Sequence, residues 1–350
     1  MPGIEEVSVH DFNRRLMRMA AQEKTPHTAT IEVTYGCNLR CAHCFNPTHQ
    51  ALPSEMKQEM IFRILEDLAA AGCVVAGFTG GEIFTRPDVF DLMAYAKGLG
   101  LQVNLLTNAT LVTDEIIRKL EALAPTQVSV SVYGMTQETY ESVTRVPGSF
   151  FKFREGVERL KNSRLSLHFK MPVMTLNVHE LDLAYEWFRK EKLPFVHSVE
   201  IHPGTDGSLE PLKVRLSPEI AAGLRLRYEE ETGCAGKAHP EENIRQTQKK
   251  VFSCTCGVST VAVTPYGEMN LCVSNPYPRY SLRTGSVREG WKILVDFVND
   301  AEPTEKFECP SCELAPHCTQ GAMDAFLETG NFNPCLPYFK DIAGRMKAAV

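Results

Sequence analysis

The sequence predicts an α/β fold, in which an open, partial (β/α)6 barrel is followed by a small cysteine-rich module. Three observations support this prediction. Short β-branched runs alternate with amphipathic helical patterns through the first two hundred residues, which is typical of parallel α/β folds. Ten of the twelve cysteines fall into two groups, one just after the first run and one in the last hundred residues. The 350 residues also suffice for about two domains.

Six strand candidates open the repeating units of the barrel. Each is a short run rich in apolar and β-branched residues. They are Thr28–Tyr35, Val74–Thr79, Gln102–Asn108, Gln127–Tyr133, Leu165–Val173 and Phe195–Ile201.

Helical patterns lie between the strand candidates. The first, Glu55–Ala71, places its apolar residues on a single stripe, as expected of a helix that faces a core. The others are Pro87–Leu99, Asp114–Leu123, Phe150–Leu160 and Glu180–Arg189, and Thr113 is suited to cap the third pattern. Alternating strands and helices imply parallel pairing through right-handed crossovers, and six units are too few for a closed eight-fold barrel. Functional side chains are therefore expected at the carboxyl ends of the strands.

The chain divides into four parts by composition. Residues 1–27 form an N-terminal extension and residues 28–210 the barrel. Residues 211–252, rich in charge and proline, form a linker with one helix, and residues 253–350 form the cysteine-rich module with a C-terminal helix. Small modules with thin cores are often held together by metal.

Composition and charge exclude several classes of protein. A hydrophobic content of 43% argues against a disordered chain, and a net charge of −6 argues against a nucleic-acid-binding protein. The basic runs Arg14-Arg15, Arg18 and Lys249-Lys250 are short and fit solvated surfaces. No signal-peptide pattern opens the chain, and the apolar run 68–78 is shorter than the ~20 residues of a membrane span. We therefore expect a cytoplasmic protein without a membrane segment, in which cysteines serve as metal ligands and not as disulfides.

The first cysteine group follows the first strand with the spacing C-x3-C-x2-C, formed by Cys37, Cys41 and Cys44. Three such thiolates can bind three irons of a cubane cluster and leave the fourth iron open. A structural zinc site, completed by His43 or a distant cysteine, is the alternative. At these residues the chain resembles the radical S-adenosylmethionine (radical SAM) enzymes, including an aromatic residue after the third cysteine, Phe45.

This resemblance implies a cofactor site at the other strand ends. Thr79-Gly80-Gly81-Glu82 resembles the family's Gly-Gly-Glu motif, so Gly80, Gly81 and acceptor groups near Glu82 are expected to hold the methionine amino group, although Gly-Gly alone is also a common turn. The further candidates for cofactor binding are Asn108, Ser131, Arg145, which would pair with the cofactor carboxylate, and Asn177. A solvated surface arginine is the alternative for Arg145. The implied chemistry is reductive cleavage of S-adenosylmethionine to a 5′-deoxyadenosyl radical, which abstracts a hydrogen atom from substrate.

The second cysteine group resembles the SPASM module, which binds up to two auxiliary iron–sulfur clusters. It begins with Cys256-x10-Gly267-x4-Cys272, where residues 258–263 and 268–273 predict a hairpin, and continues with Cys309-x2-Cys312-x5-Cys318 and Cys335. The resemblance implies an outer cluster on Cys309, Cys312, Cys318 and Cys335, and an inner one on Cys254, Cys256 and Cys272. Zinc is the alternative metal for the module. Cys73 is expected in the core.

The sequence departs from the SPASM pattern at Ala322, where the fourth inner ligand belongs. Three interpretations remain open. Cys234 supplies the ligand, the inner cluster has an open iron that substrate or a small ligand occupies, or this cluster is smaller or absent.

Residues 131–150 look like those of the maturases of ribosomally made peptides. This resemblance implies a precursor peptide as substrate, modified by crosslinking, epimerisation or backbone excision, and a flavodoxin- or ferredoxin-type electron donor. Because only about 27 residues precede the first strand, we expect a separate leader-peptide recognition protein. The alternatives are a formylglycine-forming sulfatase activator, a tetrapyrrole side-chain enzyme and a non-catalytic metal-binding scaffold.

Overall fold

The computed structural model describes residues 19–20, 22–46, 48–232, 251–252, 254–305 and 307–349. Nine strands form one sheet in the order β6-β5-β4-β3-β2-β1-β7-β8-β9, and β1 to β6 are parallel neighbours. Their bounds are β1 Thr28–Thr34, β2 Val75–Gly80, β3 Gln102–Thr107, β4 Gln127–Ser131, β5 Leu167–Pro172, β6 Phe195–Ser198, β7 Thr260–Val263, β8 Glu268–Asn270 and β9 Tyr280–Ser281. All six predicted barrel strands are confirmed, and with them the α/β fold.

Helices follow the barrel strands and complete the module. Their bounds are α1 Gln58–Ala70, α2 Val89–Gly98, α3 Asp114–Leu123, α4 Gln137–Thr144, α5 Ser149–Lys161, α6 Leu181–Lys190, α7 Pro218–Thr232, α8 Val287–Asp300, α9 Ala322–Thr329 and α10 Pro337–Ala349. The predicted cap is confirmed, because the Thr113 hydroxyl accepts a hydrogen bond from the Ile116 amide at 3.3 Å. Helix α1 begins at Gln58 and not at Glu55, and the Met56 amide in the segment before it donates to the Pro265 carbonyl at 2.7 Å.

The sheet and its helices enclose one large apolar core. Helix α1 buries Ile61, Ile64, Leu65 and Leu68, which confirms the predicted stripe. Ile31 and Phe78 lie fully buried on the adjacent strands β1 and β2. Cys73 is buried in this core as expected, and its thiol faces the carbonyl oxygens of His27 and Val75.

The predicted hairpin of the module is confirmed by antiparallel pairing of β7 with β8, in which Ala262 lies opposite Asn270. Strand β7 also pairs in parallel with β1, from Thr28 opposite Thr260 to Ile31 opposite Val263. The module therefore extends the barrel sheet directly, which the sequence patterns did not predict. In the part of the chain that the structure describes, no helix has the length and apolar character needed to cross a membrane.

Candidate functional site

The cysteine loop, residues 36–46, follows β1 and is held by helix α4. The Arg40 amide donates to the Thr144 carbonyl at 2.9 Å, and the Ala42 amide donates to the Val143 carbonyl at 2.8 Å. Both acceptors belong to the last turn of α4, whose carbonyl groups lack partners within the helix. Sequence reasoning missed this helix, which is short and polar. The signal was Thr136, whose hydroxyl accepts from the Thr139 amide as an N-cap.

The three thiols of this loop lie close to one another and are partly buried. Burial raises the pKa of Cys44 to about 12. The pKa of Cys41 is raised further by burial and by the neighbouring sulfurs of Cys44 and Cys37. Burial also raises the pKa of Cys37. The loop by itself therefore favours neutral thiols, and iron binding would have to displace their protons.

Two glycines bring the end of β2 against the cysteine loop. The Gly81 amide donates to the Thr34 carbonyl at 2.8 Å, and the next amide, that of Glu82, donates to the Gly36 carbonyl at 2.9 Å. A Cβ atom on Gly80 would lie 2.2 Å from the Thr34 carbonyl oxygen at the end of β1, and one on Gly81 would lie 2.2 Å from the Gly36 carbonyl oxygen of this loop. The backbone packing alone explains why glycine stands at both positions, and contact of these residues with the methionine amino group stays a prediction.

The Glu82 carboxylate is fully buried and joins β2 to the end of β3. It accepts hydrogen bonds from the Asn108 amide at 2.7 Å, the Thr107 hydroxyl at 2.8 Å and the Phe84 amide at 3.3 Å. Burial raises the pKa of Glu82 to about 7, against the opposing effect of these donors. Its side chain thus fixes the spacing of two strand ends beneath the cysteine loop.

The Asn108 side chain connects the end of β3 with the cysteine loop. Its Nδ2 donates to Asn38 Oδ1 at 3.1 Å, and its Oδ1 accepts from the Thr110 amide at 2.9 Å. Asn38 Nδ2 donates in turn to the Thr110 hydroxyl at 2.7 Å. This closed network places Asn108 beside the cysteine loop, while its contact with the cofactor stays a prediction. It also adds Asn38, which sequence reasoning missed although it stands between Cys37 and Cys41.

An aromatic pair lies beside the loop at the end of β4. The Tyr133 hydroxyl lies within hydrogen-bond reach of the Cys41 sulfur and of Ser131, the predicted cofactor residue of this strand. The His43 ring packs on Tyr133 with ring centres 5.3 Å apart. Burial lowers the pKa of His43 to about 4, and its buried Nδ1 has no hydrogen-bond partner among the described residues. A polar atom left without a partner next to three thiols fits a site that is completed by a polar cofactor.

The remaining predicted cofactor residues lie in different surroundings. The Asn177 side chain is fully buried and bonds the Met174 amide and the carbonyls of Tyr133 and Pro172, so it joins the ends of β4 and β5. Arg145 is exposed and ends α4 with a left-handed φ of 57°. Phe45 is half-buried, and its carbonyl accepts from the Thr205 amide at 2.9 Å. Direct contact of these residues with S-adenosylmethionine stays a prediction.

The three inner cysteines of the module are brought together by the hairpin. Cys256 lies within hydrogen-bond reach of the thiols of both Cys254 and Cys272. The pKa of Cys272 is lowered, chiefly because the Cys256 thiol donates to it. The Glu32 carboxylate of β1 is buried within electrostatic reach of Cys272 and of Cys44. One barrel carboxylate therefore lies between the two cysteine sets.

The four outer cysteines surround one another closer to the surface. Cys309 is exposed, and its pKa is raised to about 11 by burial of its sulfur and by the neighbouring sulfurs of Cys318, Cys335 and Cys312. A cavity of about 710 Å³ opens beside Cys335, between Glu308 and Lys340. Of the two auxiliary sets, the outer one is therefore the more accessible from solvent.

The donor chemistry of all three sets fits iron–sulfur clusters. Within the described ranges, no group of three or more His, Cys, Asp or Glu side chains is arranged around a single metal ion. A cubane cluster does not require that convergence, because each thiolate binds a different iron. Cys234, one of the expected alternatives for the fourth inner ligand, lies outside the described residues.

Comparisons with known proteins agree with this geometry. A family model described as the radical SAM superfamily matches residues 31–188. The chain is 26% identical over 347 residues to an AdoMet-dependent heme synthase of Methanosarcina barkeri, covering 91% of this chain and 98% of that protein. It is 30% identical over 319 residues to the mycofactocin maturase MftC of Mycolicibacterium smegmatis, covering 87% and 80%. The crystal structure of Streptococcus suis SuiB bound to S-adenosylmethionine has a TM-score of 0.71 at 14% identity, covering 96% and 84%. At that identity the last likeness shows a shared fold.

Proposed function

The chain belongs to the radical SAM superfamily, and from this premise we propose that it modifies a ribosomally made precursor peptide by hydrogen abstraction. The observation that carries the proposal is the 30% identity to MftC of Mycolicibacterium smegmatis, which is named as a maturase and is matched over 319 residues. A peptide substrate is also in keeping with the fold, because SuiB shares it and has been crystallised with its precursor peptide SuiA.

The residues described above have separable tasks in this reaction. Cys37, Cys41 and Cys44 would hold the [4Fe–4S] cluster, which together with S-adenosylmethionine supplies the 5′-deoxyadenosyl radical when both are bound. The glycine contacts and the Asn108 network hold the cysteine loop in position. The neutral His43 ring belongs to the same loop, and its Nδ1 has no hydrogen-bond partner within the described part of the chain.

Glu32 is a buried acid of β1 that lies within electrostatic reach of both cysteine sets. Its side chain is almost completely buried, and its Oε2 accepts from the Tyr35 hydroxyl at 3.3 Å. Burial raises the pKa of Glu32 to about 8 in the metal-free chain, and so favours the protonated carboxyl group there.

A second candidate function is modification of a tetrapyrrole side chain. The observation that favours it is the match to the Methanosarcina barkeri heme synthase, which extends over 98% of that protein. Both functions use the same barrel and the same three cysteines, and they differ in the molecule that the barrel admits.

The first experiment tests the radical chemistry. Anaerobically reconstituted protein with dithionite is expected to convert S-adenosylmethionine to 5′-deoxyadenosine, whereas the triple variant with Cys37, Cys41 and Cys44 replaced by Ala is not. Iron and sulfide are expected at roughly eight to twelve per chain, for two or three cubane clusters. About four irons together with stoichiometric zinc would instead make the module a structural zinc domain.

The second experiment identifies the substrate. The protein is co-expressed with the small open reading frames beside its gene, with and without a neighbouring leader-binding protein, and the peptides are analysed by mass spectrometry. In parallel, the reconstituted enzyme is incubated with iron porphyrins that carry propionate groups. A mass change on a peptide supports the first function. A change on the porphyrin alone would replace it with the second.

A further inference from the structure

The inner cysteine set lacks a fourth thiol in the position where the module pattern expects one. Ala322 stands there as the first residue of α9, and its methyl group cannot bind a metal. Any fourth ligand must therefore come from elsewhere in the chain or from outside it.

A histidine of the barrel reaches the same helix turn. His202 follows β6, and its Nδ1 lies 2.8 Å from Oδ1 of Asp324, two residues beyond Ala322. The other carboxylate oxygen of Asp324 accepts from the Gly321 amide at 3.0 Å, which fixes the carboxylate at the start of α9. The His202 ring is thus held by the turn in which the missing cysteine would stand.

The first turn of α9 also lies against Cys272, the last cysteine of the inner set. The Asn275 amide donates to the Cys272 carbonyl at 3.2 Å, and Asn275 Nδ2 lies 3.4 Å from the sulfur of Met323, the residue between Ala322 and Asp324. The His202 ring itself lies within electrostatic reach of the Cys272 sulfur. Helix α9, the histidine and the inner thiols therefore meet in one place.

His202 and Asp324 have the chemistry of a metal ligand and of the group that orients it. A carboxylate that accepts the Nδ1 proton fixes the tautomer in which Nε2 is free to bind metal, and metal-bound histidines in proteins commonly have such a partner. Histidine also replaces cysteine on one iron in some iron–sulfur proteins. We propose that His202 binds the fourth iron of the inner auxiliary cluster through Nε2, with Asp324 as the positioning residue. The proposal rests on the auxiliary clusters proposed above but not on the identity of the substrate.

The proposal has a structural consequence for the active site. The Thr205 amide, three residues beyond His202, donates to the Phe45 carbonyl at 2.9 Å, and Phe45 directly follows Cys44. One short segment after β6 would then contact the loop of the first cluster and ligate the inner auxiliary cluster. A His–Asp pair that only joins the barrel to α9 is the competing explanation, and it requires no bond to iron.

The test uses full-length protein in which Cys37, Cys41 and Cys44 are replaced by Ala, so that only the auxiliary sites load. The protein is labelled with ¹⁵N-histidine, reconstituted anaerobically, reduced and examined by pulsed electron paramagnetic resonance. A coupling to directly bonded histidine nitrogen is expected, and His202→Gln is expected to abolish it. The matched control is His197→Gln, which removes a buried histidine of β6, bonded to Tyr185, and is expected to keep the coupling.

Two further variants keep the test decisive if His202→Gln disturbs folding. His202→Cys is expected to retain the inner cluster, with no nitrogen coupling and a lower reduction potential, because a thiolate donates more charge to the iron. Asp324→Asn is expected to keep the coupling and shift the potential. The outer cluster reports folding in every variant.

Three results would overturn the proposal. The first is a nitrogen coupling that persists in His202→Gln. The second is the absence of any nitrogen coupling in protein that keeps His202 and carries about eight irons. The third is loss of the inner cluster in Cys234→Ala together with its full retention in His202→Ala. An iron content of about four with zinc would instead show that the proposed auxiliary clusters themselves are wrong.

Discussion

The amide of Gly81 donates a hydrogen bond to the carbonyl of Thr34 over 2.8 Å, so the end of β2 lies directly against the start of the cysteine loop. At this distance there is no room for a side chain, since a Cβ on Gly81 would lie 2.2 Å from the Gly36 carbonyl oxygen. The position of the cysteine loop therefore depends on a backbone contact that only glycine permits.

Replacing Gly81 with Ala is expected to push the cysteine loop away from β2. We expect a loss of stability of about 1–3 kcal/mol from overpacking, a lower iron content at the first site and a lower yield of 5′-deoxyadenosine. Urea unfolding, iron analysis and product analysis measure the three effects. The control is Gly223→Ala in α7, where a Cβ would meet no described atom within 4 Å outside the backbone of its own helix, and where a helix favours Ala by about 1 kcal/mol. Equal behaviour of the two variants would contradict the prediction.

The Asn108 network gives a second prediction. Asn108→Ala removes the acceptor of the Thr110 amide and the donor to Asn38, and it leaves buried polar groups without partners. We expect the variant to lose about 1–3 kcal/mol of stability and to release iron from the first site faster under a chelator. Asn162→Ala, at the exposed end of α5, removes a side-chain bond to the Glu158 carbonyl and is expected to change neither quantity. Iron release at the wild-type rate from Asn108→Ala would show that the network does not hold the loop.

Much of this architecture is readable from the sequence because it is encoded locally. Alternating runs predicted six barrel strands, and Thr113 marked the start of α3, because side-chain period and capping chemistry act over a few residues. The pairing of β7 with β1 joins residues more than two hundred positions apart, and no local pattern encodes it. The same limit applies to His202, whose neighbour Asp324 is 122 residues away.

The motifs located the site better than they located its side chains. Glu82 and Asn177 were predicted near the cofactor, and both stand at strand ends, but their side chains are buried and bond to neighbouring strand ends. A motif fixes the position of a residue in the chain, whereas the direction of its side chain depends on packing with segments that are distant in sequence.

The Glu32 carboxyl group predicts how the stability of the metal-free protein depends on pH. Its pKa is raised by burial from 4.5 to about 8, so the folded state keeps a proton that the unfolded state has already lost in this range. The contribution of Glu32 to the free energy of unfolding is therefore fully present below about pH 4.5. It is lost as the pH rises to about 8, and the total loss is on the order of 5 kcal/mol.

Glu32→Gln removes this titration while keeping the shape of the side chain. Under reducing conditions, the stability difference between the variant and the wild type is expected to grow in favour of the variant from pH 5 to pH 8. Urea unfolding at several pH values measures it. A difference that stays constant with pH would show that Glu32 keeps an ordinary pKa.

A buried ion pair between the segment after β6 and α9 provides the last prediction. The Arg215 guanidinium lies 2.9 Å from Glu328 of α9 and also donates to the Ile201 carbonyl at 2.6 Å. The side chains of Arg215 and Glu328 are only 8% and 17% exposed.

Arg215→Met leaves the buried Glu328 carboxylate without its partner, so we expect a loss of stability of about 3–5 kcal/mol. Because Glu328→Met then removes the stranded charge, the double variant is expected to be more stable than Arg215→Met alone. Urea unfolding of the two single variants and the double variant gives the coupling energy. Strictly additive losses would mean that the two charges do not stabilise each other, and that Arg215 acts only through Ile201 and through its stacking on Tyr338, whose ring centre lies 4.5 Å away.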